Sequence, residues 1–475
     1  MTKATDGKRA AQIADKILMR QPLAPDADQS NSQSVPRDER PNLKLPCILE
    51  KLLDRIAPVI HLTPGMVRNI ALYPWFRLLQ NLLFWQAIWF LYFQNELSAA
   101  EAILLYSVLE ITTTVLEVPS GYLSDRIGRR TTLMIASIFA VLGGVCLAAG
   151  QGFVLFALGM GCLGASGAFV SGTDTSLLYQ SLAALDRRGD ADALELRGWR
   201  FAFGGLAISA ITGGVAFTIA PALPFWAAAA AGAGMFAVSL AMTEPAGSEP
   251  QTHQKRANGF LTSLQKALVQ PVLLWLFGVA VTTYAFGHVL FVFGQPFIDQ
   301  ALAGIGQQAN TPIVAGLIAA LMMGISLVTS LAGPALRDRL GTAGVLLLAL
   351  TLQITLIATV SLSTAWPLIA ILMLRMVPNS ISQAYLRAAS HPFLEDATRA
   401  TYLSLQSLGS KLALSVSLWL AAIGVSDQSA MSATDLNAVF ATYALSGAIC
   451  VLGLMITARV WRIPHLISTA FERKN

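Results

Sequence analysis

Charge is what this 475-residue chain has least of: 12% of its residues are Asp, Glu, Lys or Arg, against about 25% in a soluble domain. With 55% of residues apolar and a mean hydropathy of +0.59, the apolar surface is too large to hide inside a soluble globule. Nineteen of the charged residues fall in the first 71 positions, so the remainder is poorer still and reads as a polytopic membrane protein. Cysteine is scarce too. Cys47, Cys146, Cys162 and Cys450 show no CxxC spacing and the last three sit in apolar runs, so neither a thiolate metal site nor a disulfide framework is expected. There is no GxSxG, Walker loop or HExxH, and His61, His253, His288, His391 and His465 are scattered without ligand spacing. These absences point away from an enzyme or an ATP-driven pump, and no cofactor is expected. The net charge of +5 comes without any Lys/Arg-rich stretch interleaved with aromatics, so no nucleic-acid partner is expected. The first twenty residues lack an apolar core followed by a small-residue cleavage site, and the N-terminus is expected in the cytoplasm.

What is present is a succession of long apolar runs behind a polar start. Residues 1–45, rich in Asp, Ser, Asn, Gln and Pro, have the composition of a disordered tail. Within 46–71, Ile48, Leu49, Leu52, Leu53 and Ile56 recur at helical spacing opposite Glu50, Lys51, Asp54 and Arg55, which predicts an amphipathic helix at the membrane surface or against the body of the membrane protein. Twelve helices are expected near 72–94, 101–122, 131–150, 152–180, 199–220, 223–242, 270–297, 312–333, 342–362, 366–388, 400–424 and 436–459. Each is long enough to cross about 30 Å of hydrocarbon. Alternate connections carry Arg126, Arg129, Arg130, Arg187, Arg188, Lys255, Arg256, Arg337, Arg339, Arg399 and Arg462, whereas those on the other side carry no Lys or Arg. That asymmetry places both termini in the cytoplasm. The polar break 243–269 then separates a six-helix unit, 72–242, from a second, 270–460, with a short tail at 461–475.

The halves resemble each other. Asp125-Arg126-Ile127-Gly128 matches Asp338-Arg339-Leu340-Gly341 at an offset of 213 residues, the mark of a duplicated unit. GYLSDRIGRR, residues 121–130, resembles the G-x-L-x-D-R-x-G-R-R signature loop of the major facilitator superfamily, in its place between the second and third helices. The resemblance covers about 72–460. It implies an all-α membrane protein with twelve transmembrane helices in two pseudo-symmetric six-helix bundles, rocking about a central cavity as a secondary transporter. Gly121 lets helices approach closely, while Asp125, Arg126, Gly128, Arg129 and Arg130, with Asp338 and Arg339 in the second copy, are expected to form a cytoplasmic gate that bridges the halves in one conformation. The fifth helix keeps Gly213-Gly214 of the G-x-x-x-G-P-x-x-G-G pattern of proton-driven antiporters but has Ser209-Ala210 where Gly-Pro is usual. The arginine that drug antiporters carry in the fourth helix is missing.

Ionisable residues in spanning helices mark a pathway or a pair. Counting rise per residue places Glu110, Arg375 and Lys411 near the midplane. Glu117, seven residues after Glu110, shares its helix face, so the two carboxylates could pass a proton, or Glu117 could pair with a loop arginine; Arg375 and Lys411 would be met by Glu110 or Glu117 or by an anionic group of the substrate. Asp174, near the cytoplasmic end of the fourth helix, is expected to meet a signature arginine or Arg197. His288 could titrate near neutral pH or serve as a packing residue. Gln86 and Trp89 are expected to line the cavity, because the first and seventh helices border it in this family. The expected function is proton-coupled efflux of an organic anion or zwitterion across the bacterial inner membrane, powered by the proton gradient and carried out by a monomer in the lipid bilayer. Displacement of a carboxylate from its cation by the substrate would load a proton, and its release on the far side would give exchange. Proton-coupled import of a nutrient or iron chelate, and a transport-inactive receptor or accessory subunit, are the alternatives.

Overall fold

The structure, a computed structural model, describes residues 65–245, 269–394, 396–425 and 430–472. The polar tail, the amphipathic helix near 47–60 and most of the central linker lie outside the described residues. Among the described residues every regular element is helical. Nine helical stretches among the described residues are long and apolar enough to cross a membrane: Ala99–Ile127, Arg129–Ala149, Gly152–Ala184, Arg188–Ile219, Leu223–Ala241, Pro271–Ala303, Gln308–Ser330, Gly333–Val360 and Ala433–Val460. We number these segments 2 to 9 and 12. Segments 1, 10 and 11 are Gly65–Gln80 with Trp89–Phe93, Ile369–Leu372 with Val377–Ser390, and Asp396–Ile423.

The interruptions have identifiable causes. Segment 1, expected as one helix over 72–94, starts at Gly65 and stops at Gln80. The Asn81 side-chain amide donates to the Arg77 carbonyl (2.8 Å), ending the helix, and the chain runs irregularly to Ile88. Irregular backbone at membrane depth must find partners in the protein. Gln295 supplies two of them: its Oε1 accepts from the Phe90 N–H (2.9 Å) and its Nε2 donates to the Gln86 carbonyl (3.0 Å). Segment 10 breaks at Met373–Met376, where Met373, Leu374 and Arg375 donate three residues back. Pro378, at the start of Val377–Ser390, lacks the N–H that would continue a regular helix and disfavours helical geometry before it. Segment 7 is segmented at His288 and Phe293.

The signature stretch is not a loop. Segment 2 continues as helix through Asp125 and Arg126 to Ile127, and segment 3 starts at Arg129. The whole turn is Gly128, at φ 96° and ψ 156°. Gly341, its counterpart in the second half, has φ 70° and ψ 168° inside segment 9, so the duplication extends to a backbone conformation that glycine adopts without strain. The two N–H groups freed at the start of segment 3 donate to one carboxylate: Arg129 N to Glu244 Oε1 (2.7 Å) and Arg130 N to Oε2 (2.8 Å). A Cβ on Gly128 would fall 2.7 Å from the Glu244 carboxyl carbon. Glu244 thus caps a helix N-terminus, and Glu244→Ala should destabilise the protein by about 1–2 kcal/mol. A lower thermal midpoint, partly restored in Glu244→Gln, is the expected result.

Candidate functional site

The three interrupted segments converge. Trp89 begins the second piece of segment 1, His288 and Phe291 lie where segment 7 is broken, and Arg375 sits in the break of segment 10. Tyr106 and Glu110 of segment 2 complete the cluster. Trp89 is fully buried and stacks on Tyr106 (centroids 5.3 Å) and on Phe291 (6.3 Å). Tyr106 lies 5.4 Å from Phe291 and 6.4 Å from the His288 ring.

Glu110 is 5% exposed. Its Oε2 accepts from the Tyr284 hydroxyl (2.9 Å), and the Tyr106 hydroxyl, one turn earlier, reaches the same carboxyl. The Tyr284 bond ties segment 2 of the first half to segment 7 of the second, and among the described residues no cation lies within ion-pair distance of Glu110. The His288 ring packs on Tyr284 (4.2 Å between centroids). Its Nδ1 lies 2.8 Å from the Tyr284 carbonyl, which can only accept. Nδ1 therefore carries the proton, and in the neutral ring Nε2 is the basic nitrogen.

Arg375 is the complement of Glu110. Its Nε donates to Met322 Sδ (2.8 Å) and one Nη1 proton to the Leu290 carbonyl (3.2 Å), and its guanidinium lies 5.1 Å from the Phe291 centroid. Among the described residues no carboxylate reaches it. Three N–H groups of the fork, including both on Nη2, are left for another partner. Phe291 stands between Arg375 and Tyr106, its ring 5.1 Å from the guanidinium and 5.4 Å from the tyrosine ring.

Lys411 and Glu117 form a separate bridge. Lys411 Nζ donates to Glu117 Oε2 at 2.7 Å, with the Ser407 hydroxyl 3.4 Å from the same oxygen. This ion pair joins segment 2 to segment 11 across the halves, so the partner of Glu117 is neither a loop arginine nor Arg375. Asp174 pairs with Arg77 of segment 1 at 2.8 Å, not with a signature arginine or Arg197. Both groups are largely buried, at 4% and 12% side-chain exposure, and Trp199 covers the guanidinium at 4.6 Å. Removing the acid would strand a buried cation. Asp174→Asn should therefore lower stability by about 3 kcal/mol, measured as a lower thermal midpoint, and the Arg77→Met, Asp174→Asn double variant should recover part of the loss.

The signature residues close among themselves. Arg129 pairs with Asp125 and reaches Ser124 Oγ (3.0 Å), Arg130 donates to the Ser239 and Leu240 carbonyls, and Arg126 stacks on Tyr122. All these partners belong to the first half. Asp338 bonds Arg337 on the surface, and Arg339 is exposed. The expected bridge between the halves is not among these contacts. Gly121 meets no neighbour within 4 Å of an added Cβ. At the opposite end the halves are locked closely: a Cβ on Gly214 would lie 2.3 Å from the Pro312 carbonyl oxygen, and one on Gly316 2.3 Å from that of Ala210. Gln295 and Gln86 belong to that closure, with Gln86 contributing its backbone carbonyl.

A family model described as Major Facilitator Superfamily matches residues 75–418. The chain belongs to that superfamily. Solved structures agree in fold: the nucleoside transporter NupG, 15% identical with a TM-score of 0.65, is matched over 98% of its length and 82% of this chain. The peptide transporter POT in complex with sulfate is 14% identical, with a TM-score of 0.63 over 96% of its length and 85% of this chain. The POT family transporter PepTSo is 13% identical, with a TM-score of 0.61 over 99% of its length and 84% of this chain. No curated protein sequence matches the chain. Membership makes it a multi-pass membrane transporter and not an enzyme, and segments 1 to 6 and 7 to 12 are the two bundles of the superfamily fold.

Sequence reasoning missed Tyr106, Tyr284, Gln295 and Glu244. Tyrosine and glutamine in apolar runs resemble ordinary interior residues, and the only signal for Gln295 and Tyr284 was their place in the aromatic stretch around His288.

Proposed function

We propose that this transporter carries a small organic anion or zwitterion across a bacterial inner membrane by alternating access, together with a proton. The observation that carries the reading is Arg375, a guanidinium that no carboxylate reaches among the described residues, one aromatic ring away from Tyr106 and one helical turn further from a buried Glu110 that no cation reaches among them. An unpaired intramembrane cation is costly unless something negative visits it. On this reading an anion bound at Arg375 and a proton bound at Glu110 accompany each other, so that the charge taken into the membrane is neutralised.

Charge accounting then fixes the direction of coupling. A proton that binds with the substrate travels with it, so positive linkage gives cotransport and not the exchange expected from the sequence. With protons driven inward across an inner membrane, cotransport is uptake. The arginine-bearing ends of the segments supply the orientation, cytoplasmic by the positive-inside asymmetry, with both termini on that side. The tight packing at the other end, together with signature arginines that stay in their own half, fits a conformer closed to the outside and accessible from the cytoplasm.

The sign of a pH change tests the reading. Proteoliposomes holding a trapped pH dye, without an imposed gradient, receive a panel of carboxylates and zwitterions outside. Cotransport acidifies the lumen for the substrates in the panel, and Arg375→Gln abolishes the signal. Alkalinisation would establish exchange, and a response to neutral or cationic compounds that survives Arg375→Gln would remove the anion site altogether.

A further inference from the structure

The groups around Arg375 also bear on what kind of anion is carried, an inference that rests on the anion-site reading above. Donors on the neighbouring helices are largely spent within the protein. The Thr113 hydroxyl donates to the Leu109 carbonyl, that of Thr114 to Glu110, that of Thr282 to Gly278 and that of Ser410 to Gln406. The amides behave alike: Gln353 Nε2 donates to the Thr283 carbonyl, Gln406 Nε2 to that of Leu276 and Gln295 Nε2 to that of Gln86. Without a partner among the described residues are the outer edge of the Arg375 fork, the buried indole N–H groups of Trp89 and Trp85, the buried Ser107 hydroxyl and, as an acceptor, His288 Nε2. The surfaces between these groups are aromatic or thioether: Trp89, Tyr106, Phe291 and Met322.

We propose that the site selects a carboxylate carried on an apolar, preferentially aromatic, body. With the guanidinium face covered by Phe291 and its Nε committed to Met322, the free Nη edge presents parallel donors that suit the two oxygens of a carboxylate. The rings beside it offer flat, quadrupolar surface for a second ring. A polyhydroxylated body of the same charge would find only the Ser107 hydroxyl and His288 Nε2 for its several hydroxyl groups, and each hydroxyl that loses water without a partner weakens binding. The same reasoning disfavours sugars and nucleosides.

The test uses the purified full-length transporter and three probes: 3-phenylpropionate, gluconate and 3-phenylpropanamide. Binding is followed by tryptophan fluorescence and by the rise of the thermal midpoint. Phenylpropionate should bind at least tenfold more tightly than gluconate, which shares its charge, and than the amide, which shares its ring and its partition into detergent. Arg375→Gln should reduce phenylpropionate to the level of the amide. Arg375→Lys, which retains a buried cation should the first variant fold poorly, should also weaken it by about tenfold, because an ammonium lacks the planar fork. Gluconate binding as tightly as phenylpropionate, amide binding as tightly, or no phenylpropionate binding at millimolar concentration overturns the assignment. Phenylpropionate that binds as described but moves no protons in the dye assay leaves the selectivity standing and removes the transport mechanism instead. Proton movement with gluconate at equal affinity does the reverse.

Discussion

A Gly214→Val variant should lose at least 90% of substrate-driven proton flux while remaining folded, because it can no longer close one end of the transporter. In the structure segments 5 and 8 cross with backbone against backbone, and even a Cβ at position 214 would lie 2.3 Å from the Pro312 carbonyl oxygen. Valine adds two methyl groups to that overlap, so the segments must separate, at a cost of about 1–3 kcal/mol or more. That cost falls only on the conformer in which the halves meet here. An equilibrium between two states therefore shifts by about 5-fold to 150-fold toward the other. Spin labels at Asn95 and Gln307, exposed positions at this end of the two halves, read the shift directly once the native cysteines are replaced. The expected result is a longer dominant distance in Gly214→Val than in the parent. An unchanged distance distribution with lost flux would mean that the glycine serves some step other than closure.

That glycine illustrates how far the sequence could be read. Gly213-Gly214 were visible as the surviving end of an antiporter pattern, but nothing in a linear pattern says which backbone a glycine admits. The structure places the Phe84 carbonyl against Gly213 and the Pro312 carbonyl against Gly214, one in the break of segment 1 and one in the other half. The twelve segments and the duplication were legible because hydropathy and the alternation of arginine are one-dimensional signals, and the superfamily match over residues 75–418 agrees with them. The breaks in segments 1, 7 and 10 were not legible. A run such as NLLFWQAI has the composition of a helix, and its interruption depends on Gln295, more than two hundred residues away. The same limit governed the charges. Depth could be counted, which put Glu110, Arg375 and Lys411 near the midplane, but pairing depends on helix rotation. Hence Lys411 meets Glu117, Asp174 meets Arg77, and Glu110 and Arg375 meet no opposite charge among the described residues.

Those two unpaired charges carry the second large effect. Glu110→Gln should abolish proton movement while leaving substrate binding intact or tighter. The amide keeps the shape of the carboxyl, and its oxygen can still accept from Tyr284, whose bond to Glu110 now spans the halves at 2.9 Å. It resembles the protonated acid, which on this mechanism is the form that accompanies bound substrate. On the proposed mechanism, anion binding at Arg375 and proton binding at Glu110 in the parent protein favour each other by the same factor, since linkage between two sites is reciprocal. Affinity for phenylpropionate should therefore rise as the pH falls, by at most about tenfold per pH unit if one proton accompanies one anion. In Glu110→Gln the affinity should stay at its low-pH value across the range, and the lumen of proteoliposomes should show no pH change when substrate is added. Exchange of labelled for unlabelled substrate across the membrane should persist, because a carrier loaded with anion alone now resembles the doubly loaded parent. Glu117→Gln provides the comparison: its partner is Lys411, 2.7 Å away, so its loss should strand a cation and reduce stability without flattening the pH dependence. If Glu117→Gln flattens the dependence and Glu110→Gln does not, the proton travels on the bridge between segments 2 and 11, and Arg375 acts on substrate alone.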